Sequence, residues 1–549
     1  MWFSTMIGPL DLSLRNVGQS MVAASELNYD TSANATQMAE TIFGDGVTVV
    51  GASYSGSSYS SAIYSGGDSI APGVTPGDTG VILSTGVASW FTNSWGSSNQ
   101  SNARSYNSGG PNNDSDFNDI AGTSTYDASF LEVDFIPEGD TMTMQFVFAS
   151  DEYPEYSNSV YNDMVGVWIN GQHVPLSVTN TATAVGGVNQ NENINLYNDN
   201  TGDAYNTEMD GFTVTMTLTI PVNPDVVNSI KIGIADVSDS SYDSSLLIAG
   251  DSIQTDLVAM DDAVTLQEGT TKTVDLLDND LNATGGTLTI THINGIAVSA
   301  GDSVTLTTGQ VVTLNADGTI DLQTDTDNDT ISFTYEVAAT DGGGNVLETD
   351  VGFVTAETIP CFVAGTLIET DKGPRAIETL EVGDMVLTQD QGPQPIRWIG
   401  QRTVPATGAM APIAFRAGAL GDHRALMLSP QHRILLRDAY AELMFDAPEV
   451  LVRAKDLVND QTIRRIEGGS VTYLHLLFDR HQIIWAEGLP TESFLPGPHI
   501  LSAMEGDIVA ELTMLFPELS ASSPAPGYGP AARPMLNTRE TSVLLKRIA

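Results

Sequence analysis

Cys361-Phe-Val-Ala-Gly-Thr-Leu-Ile-Glu-Thr370, followed by Gly373 and by Ile377-Glu-Thr-Leu-Glu-Val-Gly-Asp384-Met-Val-Leu-Thr388, is where this 549-residue chain changes character. Cys361 is the only cysteine. Ahead of it stand four of the 21 basic residues, Arg15, Arg104, Lys231 and Lys272, against 47 of the 69 acidic ones. Net charge is therefore −43 before Cys361 and −5 from it onward. Segments so unlike in charge rarely share a core, and a chain of this length divides into three or four domains.

The charge of the front segment argues against nucleic acid and anionic membrane surfaces as partners, because neutralising phosphates takes lysine and arginine. Divalent cations suit it better. A single cysteine excludes an intrachain disulfide framework and a cysteine-rich zinc site. No run approaches the roughly 18 apolar residues of a membrane span. The N-terminus, Met1-Trp-Phe-Ser-Thr-Met-Ile, lacks a basic n-region and a long apolar stretch, so any export would proceed without a visible Sec-type signal.

Outward from Cys361 toward the N-terminus, the pattern is of period two, and an all-β fold is expected throughout. Thr213-Val-Thr-Met-Thr-Leu-Thr-Ile220 alternates strictly, and Thr141-Met-Thr-Met-Gln-Phe-Val-Phe148 for most of its length. Gly/Ser/Asn-rich turns at 51–61 and 96–113 punctuate the strands. Short alternating strands need a second sheet over their apolar face, which predicts a β-sandwich over residues 20–257 behind an N-terminal segment, 1–19. Residues 258–357 form a second β unit, with strands at Thr287–Thr291 and Ile331–Val337 and a turn at Asn315-Ala-Asp-Gly-Thr319.

Phe146-Val-Phe-Ala-Ser-Asp-Glu-Tyr-Pro-Glu-Tyr156, Tyr161-Asn-Asp-Met-Val-Gly166, Ile234-Ala-Asp-Val-Ser-Asp239 and Tyr242-Asp-Ser-Ser245 resemble the choice-of-anchor L domain of bacterial surface proteins. That resemblance implies an extracellular module with a cell-surface, carbohydrate or protein ligand. Asp261-Asp262, Asp275-Leu-Leu-Asp-Asn-Asp280 and Phe333-Thr-Tyr-Glu-Val337 followed by Asp341-Gly-Gly resemble the cadherin-like repeats of large adhesins, implying an Ig-like sandwich used as a spacer. Acidic clusters containing Asp114, Asp116, Asp151, Glu152 and Asp163 are candidate calcium ligands or else solvated surface. Neither an EF-hand loop nor a Gly-Gly-x-Gly-x-Asp nonapeptide is present.

The block opened by Cys361, with its Gly-Thr-x-Ile core and its Val-Gly-Asp turn, is similar to the first splicing block of the Hedgehog/intein (Hint) superfamily in its bacterial form. Leu428-Ser-Pro-Gln-His432-Arg-Ile-Leu-Leu436 resembles the Thr-x-x-His block with Ser429 in place of threonine. Tyr473-Leu-His-Leu-Leu-Phe-Asp479-Arg-His481-Gln-Ile-Ile-Trp-Ala-Glu-Gly488 resembles the late strand pair. The resemblance implies a Hint β-fold over residues 358–500 and Cys361 as nucleophile on the Pro360–Cys361 bond; the Ser/Pro/Gly-rich composition of Ser520-Ala-Ser-Ser-Pro-Ala-Pro-Gly-Tyr-Gly-Pro530 separately predicts a linker and tail over 501–549. His432 would serve the leaving amine, and Ser429 would hold or polarise the scissile peptide.

The residues support that chemistry independently. A thiol reaches its own upstream carbonyl through a five-membered ring, so proximity removes most of the entropic cost of attack. Asp479 and His481, two residues apart, would share one face if the strand ran through them, and could activate the thiol or an incoming nucleophile; His475 shares the same parity. His423 and His499 read as ordinary core histidines. Around the C-terminal block the chain reads Gly488-Leu-Pro-Thr-Glu-Ser493, without the His-Asn pair that lets inteins finish splicing. The expectation is single-turnover cleavage at the N-terminal side of Cys361, with the chain's own front segment as substrate. It asks for no cofactor, and water or an external nucleophile would resolve the thioester. An inactive Hint fold in a surface-binding protein is the alternative.

Overall fold

The computed structural model describes residues 22–157, 159, 161–176, 183–190, 192–265, 271–323, 331–357, 361–406, 411–445, 447–495, 531–536, 541 and 544–545. Segment 1–19, Pro360 and His499 lie outside them. The described chain is nearly all β, arranged as three successive units of two main sheets each, with a two-stranded sheet of Leu257–Val258 and Leu281–Asn282 besides.

In the first unit, one sheet runs in the order Asn28–Asp30, Ser61–Ser65, Thr79–Ser84, Ser244–Ala249, Thr141–Ser150, Gly211–Thr213 and Tyr197–Asp199, with Met216–Pro221 also paired to Thr141–Ser150. The other runs Val47–Ser55, Thr125–Pro137, Asn228–Val237, Met164–Ile169 and Gln172–His173. Alternation decides what lies between them. Met142, Met144, Phe146 and Phe148 face Leu131, Val133, Phe135, Ile230, Ile232 and Ile234, each contributing about 1.5–3 kcal/mol by leaving water.

The opposite faces, where alternation predicts solvent, are covered as well. Val147, Ala149 and Leu247 lie under Ala71, Val74 and Phe91, and the helix Ser115–Ala121 lays Phe117 over Phe130 and Trp168. Thr143 and Gln145 are buried for a different reason: they meet the second unit. Asp350 accepts hydrogen bonds from Thr143 Oγ1 at 3.0 Å, Gln145 Nε2 at 3.3 Å and the Ala259 N–H at 2.7 Å, and Phe353 enters the first unit's core.

The second unit is a sandwich. Asp262–Thr265, Val346–Glu357, Ile331–Thr340, Thr287–Ile293 and Ile296–Ala297 form one sheet, and Thr271–Val274, Ile320–Gln323, Val311–Leu314 and Ser303–Thr305 the other. The expected turn joins two of these strands, with the Asn315 N–H on Thr319 O at 2.8 Å and Gly318 at φ +92°, a left-handed conformation that favours glycine.

The third unit begins at Cys361. Trp398–Pro405, Ser470–Leu477, Phe362–Val363, Leu426–Leu428, Ile413–Phe415 and Ile463–Arg465 make one sheet. The other contains Gly373–Ala376, Leu367–Thr370, Met385–Thr388, Ile483–Ala486, Leu489–Glu492, Arg433–Arg437 and Glu449–Arg453. Described residues of the segment read as linker and tail pack against this unit. Leu536 and Leu544 join its core, Leu536 N–H and Leu451 O hydrogen-bond at 2.9 Å, and Arg533 pairs with Asp390 at 2.7 Å and with Glu449 at 2.6 Å.

Candidate functional site

The two-residue strand Phe362–Val363 lies between two antiparallel neighbours, and Phe362 pairs with Leu428 on one side and Leu474 on the other. One step back along the register places Cys361 between Ser429 and His475. The contacts follow from this. The Cys361 N–H, which belongs to the peptide bond joining it to Pro360, donates to Ser429 Oγ at 2.7 Å, and the Ser429 N–H donates to Cys361 O at 3.0 Å. Cys361 Sγ stands 3.5 Å from His475 Nε2. The His475 ring is held by near-parallel Trp398, centroids 6.5 Å apart, and by Phe494 at 5.4 Å.

Cys361, Ser429, His432 and His475 are all buried. Burial pushes the thiol well above its usual range, with a hydrogen bond from Ser429 and the charge of Arg402 opposing in part. At rest the sulfur is therefore a thiol, and attack requires a base. His432 sits edge-on against Phe362, ring centroids 4.3 Å apart, and among the described residues neither of its ring nitrogens has a hydrogen-bond partner. Burial drops its pKa to about 4; Glu492 opposes that, while His475, Arg433 and His481 reinforce it.

Asp479 and His481 do not share a face with His475. The strand ends at Leu477 and the chain bends before the next begins at Ile483, so strand parity does not carry across. Asp479 forms a bidentate pair with Arg397, 2.7 and 2.9 Å, on the surface. His481 is buried against Glu492, with Nε2 at 3.5 Å from Oε2 and at 3.2 Å from Ser493 O, and its Nδ1 accepts the Ala532 N–H at 2.9 Å. His423 is tied locally, its Nδ1 at 2.6 Å from Arg424 O and its Nε2 accepting the Leu420 N–H.

The candidate calcium ligands fall into two groups. Asp114 caps the helix Ser115–Ala121 and, with Asp116, pairs with Lys231 at 2.7 and 2.8 Å, whose ammonium also lies over Phe130 at 4.2 Å. These two acids are thus counter-ions to a cation of the chain itself. Asp151, Glu152 and Asp163 are buried between the sheets and bound by the chain: Asp151 accepts the Arg104 N–H, Glu152 the Asp163 N–H, and Asp163 the Val237 N–H and Ser244 Oγ. Burial raises all three carboxyls. Among the described residues, no three His, Cys, Asp or Glu side chains are grouped so as to hold a metal ion, and no helix is long and apolar enough to cross a membrane.

Sequence reading did not single out Glu492, Arg433 or the returning tail. The stretch Gly488–Ser493 was informative chiefly for the asparagine it lacks, and the partner of Glu492 is revealed only by strand pairing. His475 carried a legible signal only in its shared parity with Asp479 and His481, and its place beside Cys361 required knowing which strands pair and where that strand ends.

Residues 360–498 match the family model of the Hint domain, residues 26–254 that of the choice-of-anchor L domain, and residues 254–354, expected to be cadherin-like or Ig-like, that of a bacterial Ig domain. Among solved structures, the chain is similar to a bacterial intein-like domain from Clostridium thermocellum at 16% identity, covering 24% of this chain and 97% of that one, with a TM-score of 0.19. It is similar to the gp41-1 intein at 13% identity, covering 24% of this chain and 97% of that one, with a TM-score of 0.16. No curated protein matches the chain.

Proposed function

Taking the three matched regions as a choice-of-anchor L domain, a bacterial Ig domain and a Hint domain, we propose that the chain cleaves itself at Pro360–Cys361, releasing or transferring its acidic front modules. The observation that carries this reading is the double hold on Cys361: its amide N–H on Ser429 Oγ and its sulfur beside His475 Nε2.

His475 takes the thiol proton, and Sγ attacks the Pro360 carbonyl carbon. The C–S bond forms as the C–N bond breaks, and the nitrogen of Cys361 gains one proton from His432 to leave as an amine; His432 takes that proton up beforehand, and the proton taken from the thiol by His475 keeps the total unchanged. Ser429 fixes the orientation of the departing nitrogen. Water then attacks the thioester carbonyl, regenerating the thiol and leaving a carboxylate on Pro360; an alcohol, amine or thiol in its place attaches the front modules to the acceptor. Full splicing does not follow, because Leu489–Glu492 and Ser493 offer no asparagine side chain to cyclise.

The matched front modules support a place at the bacterial cell surface, with a surface ligand as partner. The alternative reading, an inactive Hint fold within a binding protein, is favoured by one observation, the raised and buried thiol. One gel separates the two. Purified full-length protein incubated with dithiothreitol or hydroxylamine is expected to give two fragments meeting at Pro360 and Cys361, and Cys361→Ala a single band. A wild-type chain that stays whole under both reagents would overturn cleavage. Intact mass of the front fragment then distinguishes a free acid from an adduct.

A further inference from the structure

We infer that Glu492 is a positioning residue for His432: its buried carboxylate balances the imidazolium that His432 must first become in order to give a proton to the nitrogen of Cys361. The inference rests on the cleavage reading and deepens it.

Glu492 ends the strand Leu489–Glu492, whose Thr491 pairs with Ile434 of the neighbouring Arg433–Arg437. That register brings the carboxylate onto the backbone next to His432: Oε1 accepts the Arg433 N–H at 2.8 Å, and the Arg433 guanidinium lies 3.6 Å away. Oε2 faces His481 Nε2 at 3.5 Å. His481 is itself pinned, because Nδ1 accepts the Ala532 N–H of the returning C-terminal segment. The carboxylate is wholly buried, with Oε1 fixed on the Arg433 backbone and Oε2 left without a hydrogen bond among the described residues.

His432 is where an anion is required. It is buried, packed on Phe362, and without a hydrogen bond to either ring nitrogen among the described residues. A bare cation in such a place is strongly disfavoured. Of the groups whose charges reach it, His475, Arg433 and His481 oppose its protonation and Glu492 alone favours it. Burial pushes Glu492 toward protonation, but the charge of Arg433 and the facing His481 outweigh that and hold it at about 2, so it is an anion whenever His432 needs one.

The test separates this role from plain structural support. In full-length Cys361→Ala protein, which cannot cleave, the His432 ring is followed by NMR titration, with His432→Gln assigning the signal. Glu492→Gln is expected to lower the proton affinity of His432 at least tenfold, and Glu492→Asp to keep most of it. In the cleavage-competent chain, Glu492→Gln is expected to slow cleavage at least tenfold while Glu492→Asp recovers part of the rate. A His432 titration unchanged by Glu492→Gln in a folded protein overturns the inference. Should Glu492→Gln fail to fold, Glu492→Asp, whose carboxylate stands one methylene farther back, is expected to give a smaller fall in the same titration, and no change there overturns the inference too. Because titration is read without cleavage, a wild-type chain that fails to cleave counts against the proposed function alone.

Discussion

Two hydrogen-bonding residues define the chemistry available to Cys361, and their substitution should separate orientation from proton transfer. His475 stands 3.5 Å from the sulfur; with His475 as the base of the proposed cleavage, His475→Ala is expected to slow thiol-dependent cleavage by roughly 10²–10⁴-fold, the usual worth of a positioned base. Ser429 holds the nitrogen that departs. Ser429→Ala is expected to slow cleavage by about 10–100-fold, in line with a hydrogen bond to a group that gains charge, and Ser429→Thr to preserve most of the rate. Asp479→Asn, which touches only a solvent-exposed pair with Arg397, should leave the rate within about a factor of two. A time course of full-length precursor on a gel reads all of these, and an Asp479→Asn rate as low as that of His475→Ala would contradict the assignment.

At the scale of elements, the site is a consequence of a very short strand. Phe362–Val363 presents only two residues, yet it is sandwiched between Leu426–Leu428 and Ser470–Leu477, so the residue just before it is fixed by partners on both sides. The second element is the C-terminal segment, which lies along Glu449–Arg453 through Leu451 and buries Leu544 completely. Leaving a cavity at a fully buried leucine costs about 2–5 kcal/mol. Leu544→Ala should therefore lower the unfolding temperature of the third unit and leave that of residues 22–357 in place. Calorimetry of the full Cys361→Ala chain measures both, and an unchanged third unit would show the segment to be a passive tail.

For the whole molecule, buried titratable groups give the two halves opposite responses to pH. In the front, burial raises Asp243 and Asp210 to about 7 and Asp350 to about 8, and raises Asp151, Glu152, Asp163 and Asp236 as well. Each binds its proton more tightly folded than unfolded, so its stabilisation is greatest near pH 4 and is lost as pH rises toward about 8. In the third unit His432 is depressed to about 4, so the unfolded state takes up the proton first and stability is lost as pH falls from about 6.5, the ordinary histidine value, toward 4. Unfolding scans of Cys361→Ala protein from pH 4.5 to 8 should show the front transition falling and the third-unit transition rising. Parallel movement of the two would refute this assignment of protons.

Much of this organisation was legible in the sequence, because it depends on periodicity and on chemistry carried by single residues. Period-two alternation in Thr141–Phe148 determines a strand and its apolar face; the charge step at Cys361 determines a domain seam; the Cys361, Ser429 and His432 blocks determine the Hint reading and the lack of an asparagine after Gly488. What only the tertiary structure decided is contact between residues far apart in the chain. Asp114 and Asp116 read as candidate calcium ligands or solvated surface until strand Asn228–Val237 brought Lys231 to them. Thr143 and Gln145 read as solvent-facing until Asp350 met them. His475 could be chosen over Asp479 only once the strand was seen to stop at Leu477 and the register to set His475 opposite Cys361. The physical reason is common to all three. A repeat of two residues specifies which face a side chain takes, whereas the group that satisfies it is fixed by which strands pair, where they end and which sheets pack together.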